Sequence, residues 1–222
     1  MREGDPFIRF DWIVDNLDAI AQRLGEHVVM VIASVVIGFA ISFALAMVAR
    51  RWRFTYAPIL AVTGTLYAVP SLALFVLLIP ITGLSLTTGI VALVLYTLLI
   101  LVRNIVVALD GVPPEVVEAA TGMGFGPAQR FWRVELPIAL PVVVAGVRIA
   151  TVTTVGLVAI TTFIGLGGLG YLIINSGTQR FFPTSIYVGV LLCVVLAVAA
   201  DVGLERVQRR LTPWARARSA GA

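Results

Sequence analysis

The residues in this 222-residue sequence that could do chemistry are few and unevenly placed. There is one histidine, His27, and one cysteine, Cys193, and every one of the 16 basic residues is arginine. A P-loop needs a lysine on the β/γ-phosphates of its nucleotide, so a chain without lysine cannot hydrolyse ATP by that route. No carboxylate pair, Cys/His cluster or nucleophile–base arrangement supports catalysis or metal binding. Cys193 lies in an apolar run and reads as a small buried hydrophobe. His27 opens another such run, where a lone imidazole is a cap or hydrogen-bond donor more often than a ligand. One stretch remains, residues 113–137, PPEVVEAATGMGFGPAQRFWRVELP, with three acids, two arginines and a tryptophan. The chemistry open to it is docking. A polar, helix-forming insert between apolar runs is either a solvated loop or a docking element for something soluble, and residue types alone leave both open.

The elements that must position this insert are membrane helices. The chain is 59% hydrophobic and 13% charged, with a mean hydropathy of +1.02, whereas soluble domains carry about 25% charged residues. At this length it is one membrane domain. Spans of the roughly 20 residues that a bilayer requires are predicted at 28–49, 56–79, 89–109, 138–163 and 186–202. The second is punctuated by Pro58, Pro70 and Pro80, which a bundle can tolerate because neighbouring helices satisfy the freed backbone groups. Residues 1–26 place Phe10, Ile13, Val14, Leu17, Ile20 and Leu24 at helical spacing, which predicts an amphipathic helix along the membrane surface. No basic region precedes a short apolar core, so a cleaved signal peptide is not expected. Residues 207–222 form a basic tail.

Arginine placement sets the orientation. Three arginines lie between spans one and two, two in the polar insert and five beyond the last span (Arg206, Arg209, Arg210, Arg216 and Arg218), against none between spans two and three and only Arg180 between spans four and five. The N-terminus is therefore expected outside, with the insert and the C-terminus in the cytoplasm. The same dispersal to segment ends argues against nucleic acid as a partner. Within the insert, Pro114 suits the first turn of a helix, where Glu115 and Glu118 face the positive dipole end. Gly122, Gly124, Gly126 and Pro127 break that helix, and a second short one is predicted over 128–134 before Leu136 and Pro137 return the chain to the membrane. The result is a two-helix knob on the cytoplasmic face.

Glu118-Ala119-Ala120, Gly124 and Val134-Glu135-Leu136-Pro137 resemble the EAA motif, E-A-A-x3-G-x9-I-x-L-P, of the membrane subunits of ABC importers, with Val134 where isoleucine is usual. Pro70-Ser71-Leu72-Ala73-Leu74, Tyr96, Arg103-Asn104, Asp110-Gly111-Val112-Pro113, Ala145-Gly146-Val147-Arg148 and the glycine-rich run 164–170 extend the likeness to the osmoprotectant branch, the permeases for glycine betaine, carnitine, choline and similar quaternary ammonium compounds. The likeness covers residues 27–206. It departs at Leu99-Ile100-Leu101-Val102, where a proline is expected before the Arg-Asn pair, and this leaves the kink of the third span open. The resemblance implies an all-α, type I importer permease with five transmembrane helices. It also implies partners: a second permease subunit, identical or similar, two cytoplasmic ATPases that hold the ATP and Mg2+, and an external binding protein that delivers the solute. No cofactor is then bound by this chain. Glu118, Ala119, Ala120, Gly124, Leu136 and Pro137 would form the coupling element that each ATPase receives. The architecture is shared with methionine- and phosphonate-type importers, the alternative on substrate.

Gly165-Leu166-Gly167-Gly168-Leu169-Gly170 also satisfies G-x-G-x-x-G, but a dinucleotide site needs a preceding strand and a βαβ unit. A turn in which backbones pack closely at the outer mouth of the bundle fits its context. Arg148, Thr151, Thr154 and Thr161 share a face of the fourth span. Polar faces in membranes point inward, either lining a path or hydrogen-bonding between helices, and spacing leaves the two undecided. Arg148 and Asp201 both sit toward the cytoplasmic half of their spans, which permits an ion pair. A secondary transporter or channel subunit would instead place ionisable residues or discontinuous helices at the bilayer midplane.

Overall fold

The computed structural model describes residues 8–213, and every regular element among them is a helix. Residues 1–7 of the N-terminal segment and 214–222 of the tail lie outside the described residues. The elements are α1 (Phe10–Asp15), α2 (Leu17–Arg51), α3 (Tyr56–Ala68), α4 (Ser71–Thr82), α5 (Leu86–Asp110), α6 (Pro114–Gly122), α7 (Pro127–Arg130), α8 (Leu136–Val158), α9 (Gly170–Ile173) and α10 (Pro183–Leu211). A π-turn, Phe131–Glu135, joins α7 to α8, and a 3-10 turn, Ala159–Ile164, extends α8 outward.

Among the described residues, four helices are long and apolar enough to cross a membrane, and α3 with α4 makes a fifth span if the pair is counted as one. The proline-punctuated span predicted over 56–79 is present as a broken pair. The chain bends by 100° between α3 and α4, and at 13 and 12 residues each piece rises only about 20 Å, short of the roughly 30 Å of hydrocarbon. Pro70 explains the break, because it has no N–H to donate and its ring forces Val69 out of the helical region; Val69 has ψ 132°. The Tyr96 hydroxyl of α5 donates to the Val69 carbonyl, so a neighbouring helix satisfies the group the break sets free.

The first span also differs from expectation. α2 runs unbroken for 35 residues, about 52 Å at 1.5 Å per residue, so Leu17 to Glu26 extend the membrane helix instead of forming a separate surface helix. Only α1 stands apart. No proline interrupts the stretch, and propagating an existing helix costs far less than nucleating one. Ile20 docks on Leu169 and Leu172 at the outer end. α10 likewise continues to Leu211, well beyond residue 202.

α5 is the centre of the bundle and α10 its edge: 56% of the most apolar stretch of α5 is buried within the chain, against 6% for α10. α5 is a single helix through Leu99–Val102, so the missing proline leaves it without a break. Lipid offers no hydrophobic drive for helix association, and close backbone approach through small residues takes over. Gly146 of α8 seats against Asn104 of α5, where a Cβ would come within 2.5 Å of the asparagine Cβ. One apolar cluster around Leu101, Ile105 and Leu109 fills the arginine-rich half, and another around Met30, Phe75, Leu93 and Val158 fills the other half.

Candidate coupling site

The arginine-bearing ends of α2, α5 and α8 converge at one end of the bundle. Arg53, just past α2, makes a two-pronged pair with Asp110 at the end of α5, with Nη1–Oδ2 2.7 Å and Nη2–Oδ1 3.0 Å. Such a fork fixes geometry as well as charge. From that anchored point the chain turns through Gly111 to Pro113 and enters α6 with Pro114 at its start.

α6 stops in a Schellman arrangement. The Phe125 N–H donates to the Ala120 carbonyl at 3.1 Å and the Gly124 N–H to Thr121 at 3.0 Å. Gly124 occupies the left-handed position, φ 83°, which a side-chain-bearing residue takes at a cost of about 1–2 kcal/mol. The glycine of the motif is thus a backbone requirement of the turn. Glu118, Ala119 and Gly124 are exposed, while Ala120 is buried against the body of the protein. Met123 and Trp132 add exposed apolar surface. The knob therefore presents an acidic and apolar face to the space beyond the bundle.

The second helix of the knob differs from the separate element predicted over 128–134. α7 is one turn long and passes through the π-turn directly into α8. Pro137, within the first two positions of α8, cannot supply an N–H and would clash with the carbonyl four residues back in a regular helix. The wider turn of residues 131–135 accommodates it. Leu136 and Pro137 are half-buried at this junction.

Glu135, which sequence reasoning assigned no role, holds the knob in place. It is 1% exposed and accepts from two arginines. Arg130 Nε donates to Oε1 at 2.7 Å, and Arg50 of α2 donates to Oε2. Arg130 also reaches Thr121 Oγ1 of α6 at 3.0 Å, and Phe131 packs edge-on to Phe43 of α2. The motif fixed Glu135 beside Leu136, but Arg50 lies 85 residues away and nothing in the sequence joins the two.

The polar face of α8 resolves into separate roles. Thr151, Thr154 and Thr161 are buried within the chain, and their hydroxyls donate to their own helix at Val147, Ala150 and Val158. Thr161 Oγ1 also lies 3.9 Å from Met30 Sδ of α2, a contact that reaches a second helix. Arg148 does pair with Asp201 of α10, with Nε–Oδ1 2.8 Å and Nη2–Oδ2 2.9 Å, beside an open cavity of about 510 Å3.

At the opposite end, the glycine-rich turn closes onto α2. Glu26 Oε2 accepts from the Gly168 N–H at 2.9 Å, and His27 Nδ1 accepts from Leu169 at 3.2 Å. A Cβ on Gly167 would fall 1.8 Å from the Glu26 carboxylate, so close approach accounts for that glycine. Of the two expectations for His27, the hydrogen-bond donor holds: it is buried, and Nε2 lies 3.0 Å from the Val155 carbonyl.

A helical membrane domain with an anchored, outward-facing cytoplasmic knob is the architecture of an importer's membrane component. Residues 36–214 match the family described as the binding-protein-dependent transport system inner membrane component. The chain belongs to this family and is a multi-pass membrane protein. It is 36% identical to the osmoprotectant import permease protein OsmW of Salmonella typhimurium, covering 91% of this chain and 96% of that one. It is 33% identical to the choline transport system permease protein OpuBB of Bacillus subtilis, covering 85% and 86%. Its fold matches a chain of the inward-facing MetNI methionine ABC transporter at a TM-score of 0.79 and 26% identity, over 87% and 96% of the two chains. The break at Pro70 is a discontinuous helix of the kind the secondary-transporter reading calls for, so helix continuity does not separate the two readings. Family membership does.

Proposed function

We propose that this chain is the membrane-spanning permease subunit of an ABC importer for quaternary ammonium osmoprotectants such as glycine betaine, carnitine or choline. The observation that carries the reading is the anchored knob, with Glu118 and Gly124 of the motif on its exposed face. The names of the relatives support the solute class. They are 33–36% identical over most of the chain, against 26% for the methionine transporter.

Two such permeases, identical or paired with a similar subunit, work side by side above two cytoplasmic ATPases, and each ATPase receives one knob. ATP and Mg2+ belong to the ATPases, a division that the lysine-free sequence supports. A binding protein outside delivers the solute. Closure of the ATPase pair draws the knobs together and tilts the spans to face outward. Glu118, Ala119, Ala120, Gly124, Leu136 and Pro137 form the coupling element. The reading is tested by co-reconstituting the permease with its ATPase and binding protein and measuring ATP-dependent uptake of radiolabelled glycine betaine. Competition by unlabelled betaine, carnitine or choline, with none by methionine, is the expected result. Competition by methionine alone would refute the solute class.

A further inference from the structure

Among the described residues, α2 carries polar side chains that grip both ends of the bundle. At the cytoplasmic end, Arg50, Glu135, Arg130 and Thr121 form a continuous chain of contacts from α2 to the last turn of α6. Glu135 is buried there, so the knob cannot slip along α2 without stranding a charge. At the outer end, His27 is fully buried and makes two bonds. Its Nδ1 accepts from the Leu169 N–H, so the hydrogen sits on Nε2, which lies 3.0 Å from the Val155 carbonyl of α8. Glu26 adds the bond to Gly168. Between His27 and Arg50 runs about 35 Å of uninterrupted helix without a proline.

A stiff rod transmits displacement only if both its ends are fastened, and α2 is fastened at both. We propose that α2 is the strut that carries movement of the knob to the glycine-rich turn at the outer mouth, with Glu135 and His27 as positioning residues at its two ends. The inference rests on the importer reading above and adds to it the route by which the two faces communicate. Loosening either fastening should leave the ATPase attached and active but deaf to what happens outside.

The experiment uses the full assembly in nanodiscs and measures ATP hydrolysis with and without solute-loaded binding protein. Glu135→Gln keeps the size of the side chain while removing its charge, and His27→Leu removes both bonds of the latch. In His27→Leu, remote from the knob, we expect unchanged co-purification of the ATPase and unchanged basal hydrolysis; in Glu135→Gln, which loosens the knob's own anchor, stimulation is read as the ratio to that variant's basal hydrolysis. Stimulation by the loaded binding protein should fall about fivefold or more, the lower end of ordinary inter-site couplings. Arg50→Ala, which cuts the link to α2 but leaves the Arg130–Glu135 pair inside the knob, should lower the stimulated-to-basal ratio as Glu135→Gln does, whereas a role for Glu135 confined to the knob would leave that ratio at the wild-type value. Stimulation within about a factor of two of wild type in any of these variants overturns the strut, as does a parallel loss of basal and stimulated hydrolysis. A wild-type assembly that neither takes up solute nor responds to binding protein would instead remove the functional reading on which the strut rests.

Discussion

At the scale of the residue, Gly124 separates two effects that a motif position usually confounds. A Cβ there would meet nothing within 4 Å, yet the backbone is left-handed at φ 83°. The local cost of substitution is therefore conformational, and asparagine tolerates that region better than other side chains. We expect Gly124→Asn to retain much of wild-type transport. Gly124→Trp, which places bulk on the exposed face, should hydrolyse ATP without uptake. Equal transport by the two variants in reconstituted vesicles would mean that this face docks nothing. Arg148 and Asp201 make a different prediction. Each is the other's two-pronged partner, and Arg148 also lies 3.8 Å from Glu205, so removing the arginine leaves Asp201 without its cation on a membrane-spanning helix. Arg148→Ala should lower the yield of folded protein in membranes more than Arg148→Ala with Asp201→Ala, measured by fluorescence size-exclusion of a tagged chain.

At the scale of the element, the second span shows how a break is stabilised. Its bend of 100° frees the Val69 carbonyl, and the Tyr96 hydroxyl takes it up. Tyr96→Phe leaves that carbonyl without its partner at the cost of about 1–3 kcal/mol, to be read as a lower midpoint of thermal unfolding in detergent. The knob is the second such case. α6, its glycine turn and α7 are pinned by Arg53–Asp110 and by Glu135, not by contacts with the bilayer. Replacing residues 114–130 with a Gly/Ser linker should therefore spare membrane insertion and abolish co-purification of the ATPase. Retention of the ATPase by the linker variant would move the docking surface elsewhere.

For the whole molecule, four long spans plus one bent pair among the described residues put the start of α2 and the end of α10 on opposite faces. The contacts agree, since Arg50, Arg53, Asp110 and Glu135 meet at one end while Glu26, His27 and the glycine-rich turn meet at the other. With Cys193 replaced by alanine, a cysteine at Thr178 should react with an impermeant maleimide on intact cells. A cysteine at Gln129 should react only after the membrane is opened. The reverse pattern would invert the molecule and its proposed direction of transport. The sparse burial of α10 within the chain leaves a long apolar surface for lipid or a second permease.

Hydropathy, arginine placement and one spaced motif determined the membrane class, the orientation and the location of the knob from the sequence alone. Each is written in local composition: a bilayer selects apolar runs by length, topology follows the charges beside them, and a helix-ending turn demands its glycine at a fixed offset. Tertiary structure decided what depends on meetings between distant residues. Arg50 meets Glu135 across 85 positions, Arg148 meets Asp201 across 53, and His27 meets Val155 across 128. It also decided continuity. Pro70 breaks its span while Pro80 and Pro141 lie inside helices, and Leu17 to Glu26 join α2. A proline's effect, or a helix's end, is set by which neighbour can accept the groups left over. That neighbour is known only once the helices are packed.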